Sequence, residues 1–147
     1  MLTEPDDVFA SQDLGEMLAE GVDKSDDALA LSAILEGVRR RGFSDAPWTV
    51  NVNFLPSVSA LVRGGPGSLP RGIVRACVDT VLSENMGATH QLRRGPGANE
   101  PHRVRTRDNA GAWRRDIDHE YHLHYWSTAA GPELATVVVH VDMSIPA

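Results

Sequence analysis

Apolar residues recur every three or four positions in three stretches of the chain and alternate with polar ones near its end. Leu14, Met17 and Leu18 make a short stripe closed by Gly21, behind a helix start at Thr3 with Pro5 and Asp6 in its first turn. Leu31, Ile34, Leu35 and Val38 share a second helical face, with Ser25 as its cap, Asp26 and Asp27 at its positive end, Arg39, Arg40 and Arg41 in its last turn, and Gly42 as its stop. Trp48, Val50, Val52 and Phe54 alternate with Thr49, Asn51 and Asn53, which predicts a strand ended by Pro56. Ser57 to Arg63 fits either a short helix or a strand, and Gly64-Gly65-Pro66-Gly67 is a loop. A third helix is predicted from Leu69 to Met86, capped by Ser68 and stopped by Gly87, with Ile73, Val74, Cys77, Val78, Val81 and Leu82 on one face.

From residue 88 onward the period is that of strands. Ala88–Arg94, His102–Arg107, Ala112–Asp118, His119–Trp126 and Glu133–Asp142 are separated by turn-forming residues, with Gly111 expected in a left-handed turn position. The expected fold is α+β: N-terminal helices packed on one face of a four- to five-stranded antiparallel meander. It reads as a single domain, 1–147, made of an acidic helical part (1–47), a strand, loop and helix (48–87), and the β meander (88–147).

Composition narrows the function. With 41% hydrophobic residues the 147-residue chain can build one globular core. No apolar run approaches the ~20 residues of a membrane span. Met1–Asp7 is acidic and lacks the basic and apolar segments of a signal peptide, so a cytoplasmic location is expected. The single cysteine, Cys77, excludes an internal disulfide framework and a cysteine-rich zinc site, and its place in an apolar stripe reads as a core thiol. The net charge of −6 argues against a general nucleic-acid coat. That charge is uneven: residues 1–60 carry eleven acids and four bases, residues 61–147 nine acids and ten bases. Acidic N-terminal helices suit a basic protein partner, whereas the arginines from Arg93 to Arg115 suit phosphate.

Five of the six histidines fall in the last 46 residues. On a strand, Tyr121, Leu123 and Tyr125 point to the core, and Glu120, His122, His124 and Trp126 point away. A turn near Ala129–Ala130 would set His124 near Thr136 and Glu120 near His140, gathering Glu120, His122, His124, His140 and Asp142 over one surface. Three readings follow. One is a polar sheet face without chemistry, as in an accessory or immunity-type interaction protein. A second is acid–base catalysis, with His122 or His124 as base, His140 as acid, Glu120 orienting a histidine, and Arg105 and Arg114 holding phosphate. The third is a metal site using His122 and His124 with His140 or Glu120. Trp126, beside the arginines, is a candidate for stacking on a base.

The run Tyr121-His122-Leu123-His124-Tyr125-Trp126, the polar turn, and Val137-Val138-Val139-His140 resemble the last hairpin of small bacterial ribonuclease toxins, the group of barnase-like, colicin-like and ribosome-dependent mRNA-cleaving enzymes. The likeness covers about 40 residues of pattern. It implies a metal-independent ribonuclease that needs no cofactor, with RNA as partner. The chain departs from that group in its acidity and in the extra helix over Leu69–Met86.

Overall fold

The computed structural model describes residues 14–24, 26–41, 45–95, 97 and 99–147. The expected helix start at Thr3, the Ser25 cap and the Gly42 stop lie outside them. Four helices precede most of the sheet: α1 (14–23), α2 (Asp27–Arg40), α3 (Phe54–Val62) and α4 (Leu69–Val81). The strands are β1 (Thr49–Val50), β2 (Thr89–Gln91), β3 (Gly111–Asp116), β4 (Tyr121–Thr128) and β5 (Gly131–Val139). They form one sheet in the order β1-β5-β4-β3-β2. Neighbours from β2 to β5 are antiparallel, but β1 runs parallel to β5. The fold is α+β with a mixed sheet, which corrects the purely antiparallel expectation.

Local chemistry accounts for the other departures. The strand expected over residues 48–55 stops at Val50, because Asn51 turns the chain: its Oδ1 accepts from Asn53 N (3.0 Å) while its carbonyl accepts from Phe54 N (3.0 Å). Pro56 then falls in the first turn of α3, where its missing N–H costs nothing. Ser57–Val62 is helical, and Ser57 Oγ accepts from Val137 N (2.9 Å), occupying a donor on the outer edge of β5. Asp26 caps α2 through Leu29 N (3.1 Å). Ser68 makes no side-chain cap. Helix α4 ends at Val81, five residues before the expected Met86, and the left-handed residues that follow are Ser83 and Asn85. Residues 102–107 make isolated bridges only, and Asn109, not Gly111, takes the positive φ of 60°.

One apolar core joins Leu18, Ile34, Phe54, Val58, Ile73 and Cys77 from the helices to Leu123, Tyr125, Leu134 and Val137 from the sheet. Burial pushes the Cys77 thiol far above its ordinary range, which keeps it protonated and inert. A second, smaller cluster of Leu92, Ala110, Ala112, Trp126 and Ala135 lies on the other face of the sheet, with Met143 and Ile145 packed against it. The β4–β5 hairpin closes through Thr128 and Gly131. Gly131 has φ +107°, and a Cβ there would lie 2.3 Å from the Pro47 carbonyl. A bulge between His124 and Tyr125 then pairs His124 with Thr136 and Tyr125 with Leu134. Leu134 thereby stays on the helix side while Thr136 stays beneath His124.

Candidate acid–base site beneath the C-terminal segment

Alternation along β3 and β4 aligns three rungs on the face opposite the helices: Ala112 with Trp126, Arg114 with His124, and Asp116 with His122. His90 on β2 pairs with Arg114, so it joins the same row. At the end of β5 the His140 amide donates to the Glu120 carbonyl (2.7 Å), as the expected register requires. This brings His140 over β4. Its Nδ1 lies 3.3 Å from His122 Nε2, and the rings meet edge to face with centroids 5.0 Å apart. The fold therefore gathers His122, His124 and His140 over one patch. His122 and His124 are buried; His140 is exposed.

Asp116 supplies the carboxylate. Its Oδ1 lies 3.3 Å from His122 Nε2 and its Oδ2 lies 3.6 Å from His90 Nε2. A carboxylate only accepts, so the proton of neutral His122 belongs on Nε2, with His140 Nδ1 as a second acceptor. Nδ1 of His122 is then a lone pair, and it has no partner. His124 is oriented from the other side: its Nδ1–H donates to Ser144 O (2.7 Å), leaving Nε2 as a lone pair, again without a partner. Nε of Arg114, on the facing strand, is the third buried nitrogen with no partner. Burial, more than any other cause, lowers the pKa of both imidazoles; nearby Arg114 adds to this at His122. His124 falls to about 4. At neutral pH both rings are neutral proton acceptors.

Other expected members are engaged elsewhere. Glu120 sits in the exposed β3–β4 connection beside His119 (3.7 Å), so Asp116 takes the orienting role assigned to it from the sequence. Arg105 is held by Asp108 (2.7 Å) and Glu133 (2.9 Å), and its guanidinium lies 4.9 Å from the Trp126 ring centroid. Arg105 holds Asp108 at about 2 and lowers Glu133, so its fork is already filled and leaves nothing for phosphate. Trp126 is buried, with Nε1 donating to Pro146 O (2.8 Å), so it is closed to a stacking base while that bond stands. Asp116 and His90 escaped sequence reasoning. The signal was the even-numbered phase shared by Ala112, Arg114 and Asp116, which needed the β3–β4 register to be used.

Among the described residues no group of three or more His, Cys, Asp or Glu is placed to hold a metal ion. No described helix is long and apolar enough to cross a membrane. No family model, curated protein or solved structure matches the chain.

Proposed function

We propose that the protein is a metal-independent, ribonuclease-type acid–base catalyst acting on phosphodiesters. One observation carries this reading: among the described residues, Arg114 Nε, His122 Nδ1 and His124 Nε2 are buried without partners on adjoining residues of one sheet face. Buried polar atoms are nearly always bonded, and such a cluster of exceptions marks a place where a ligand bonds. One cationic donor beside two neutral imidazole acceptors suits an anion that carries a hydroxyl. In RNA these are the phosphate and the ribose 2′-hydroxyl.

The step assigns each group one task. His122 Nδ1 takes the 2′-hydroxyl proton while Asp116 steadies the imidazolium through Nε2–H. The 2′ oxygen attacks phosphorus and the bond to the 5′ oxygen breaks. His140 gives that oxygen the proton on its Nε2 while its Nδ1 takes the Nε2 proton of His122, so both rings end neutral. Arg114 holds the charge on the phosphate, and His124 Nε2 accepts a hydrogen bond from a neighbouring hydroxyl. The test is cleavage of an RNA oligomer by the full chain in excess chelator, read as 2′,3′-cyclic phosphate ends. Cleavage lost in His122→Ala and in Arg114→Ala is the expected result. Intact RNA, or full activity in His122→Ala, refutes the assignment.

A partner-binding reading draws on a different observation. A cleft of about 450 Å³ lies between α1, α2, β1 and α3, lined by Val22, Leu31, Val50, Val52 and Leu55 among others. Val52 is 88% exposed at its mouth. An apolar cleft on the acidic part of the chain suits an apolar side chain from a basic protein.

A further inference from the structure

Residues 142–147 form neither helix nor strand, yet they cross the face that holds Arg114, His122 and His124. Four of their carbonyls are each taken by a side chain of the body. Arg103 Nη1 donates to Met143 O (2.9 Å), His124 Nδ1 to Ser144 O (2.7 Å), Trp126 Nε1 to Pro146 O (2.8 Å), and Asn51 Nδ2 to Ala147 O (3.0 Å). Met143 and Ile145 are only half buried against the small cluster around Trp126. The Ser144 amide turns back to Asp142 Oδ1 (2.8 Å) and not to the sheet. Sheet side chains, not a strand ladder, hold this segment down. So few attachments allow it to open while the two cores stay folded.

We infer that residues 142–147 are a reversible cover over the acid–base site, and that substrate oxygens take the two donors the cover now occupies. The second half rests on the ribonuclease reading. His124 Nδ1–H and Trp126 Nε1–H lie two residues apart on β4, and each bonds a planar carbonyl oxygen. Once the cover lifts, a nucleobase bearing ring carbonyls offers acceptors of the same kind, and adenine offers none. The strand thus places a base-reading pair beside the groups that act on the backbone.

Hydrogen exchange at the Trp126 indole N–H, followed by NMR on the full chain, tests the cover directly. In the native protein this proton exchanges at least tenfold faster than the Leu123 and Val137 amides. Ile145→Asp speeds it at least another tenfold and leaves those two amides unchanged; Met143→Asp does the same should the first variant lose the protection of Leu123. Exchange of the indole in step with Leu123 in all three proteins makes the segment part of the global fold and overturns the inference. The substrate half is read with uncleavable 2′-O-methyl oligomers on Ile145→Asp: a uridine oligomer shifts the Trp126 indole signal and an adenosine oligomer does not. Equal shifts, or none, overturn it even where the cover opens. Neither measurement depends on cleavage, so failure of the ribonuclease reading shows separately, in the His122→Ala assay.

Discussion

Arg114 and Arg115 are consecutive on β3 and face opposite sides of the sheet. Arg115, on the helix side, is spent on structure. Its Nε donates to Thr80 Oγ1 (2.8 Å), and its terminal nitrogens donate to the Asn85 and Glu84 carbonyls (3.0 and 2.8 Å). It ties the last turn of α4, through Thr80, and the turn that follows the helix, through the Glu84 and Asn85 carbonyls, to the sheet. Asp79 supports the same corner by accepting from Arg41 (2.8 Å) and Asn85 (2.9 Å), and Arg41 also pairs with Glu84. Arg114, on the other side, has a buried Nε with no partner, beside two histidines in the same condition. Arg115, with a partner on every nitrogen, holds the fold together. Arg114, with its buried Nε unmet beside imidazole lone pairs, supports the catalytic role proposed above.

Substitutions on the two faces separate these roles. The largest effect expected is on activity: His122→Ala, or Arg114→Ala, lowers RNA cleavage by ~100-fold or more. Arg114→Ala changes stability in urea by no more than ~1 kcal/mol, because its Nε has no bond to lose. Arg115→Met does the reverse. It strands the Glu84 and Asn85 carbonyls in the turn after α4 and lowers the unfolding free energy by about 3 kcal/mol, measured by the same urea titration.

Acid comes next in size. His124 titrates at about 4 in the fold and near its ordinary 6.5 when unfolded. The native state therefore binds fewer protons between those values. Stability is fully present above about pH 7.5, declines as pH falls through 6.5, and stops declining on this account below about 4. The groups facing the ring are Arg114 from β3, His122 on its own strand and Asp142 from the covering segment; their influence is smaller than that of burial. Between pH 7.5 and 5 the loss from this ring is about 2 kcal/mol, and His124→Asn flattens that part of the curve. A wild-type curve already flat there contradicts the neutral-imidazole description. The smallest effect is that of Ile145→Asp on global stability, within ~1 kcal/mol by urea unfolding, since it loosens only the cover.

Much of the helix side was legible before any coordinates. The stripe of α4, the Ile34 and Val38 positions of α2 and the inward phase of Leu123 and Tyr125 follow from period alone, because one buried face imposes a repeat on the residues that fill it; Leu35, placed on the same stripe, is exposed. The approximate pairing of His124 near Thr136 and of Glu120 near His140 was also legible, but the turn at Ala129–Ala130 alone gives Tyr125 opposite Leu134, and only the bulge at His124/Tyr125 moves the register by the extra residue. The strap side was not. That Asp116 and not Glu120 meets His122, that Glu133 and Asp108 saturate Arg105, and that residues 142–147 cover Trp126 all join positions far apart in the chain. No local spacing encodes them.

Hydrophobic period and turn chemistry, acting over a few residues, were enough to specify most of the elements and the inward face of β4. The mixed sheet and the partners of each arginine and histidine came only with folding. Periodicity says which side of an element is buried, but hydrogen bonds and ion pairs reach only a few ångströms, and which groups come that close depends on how whole elements pack.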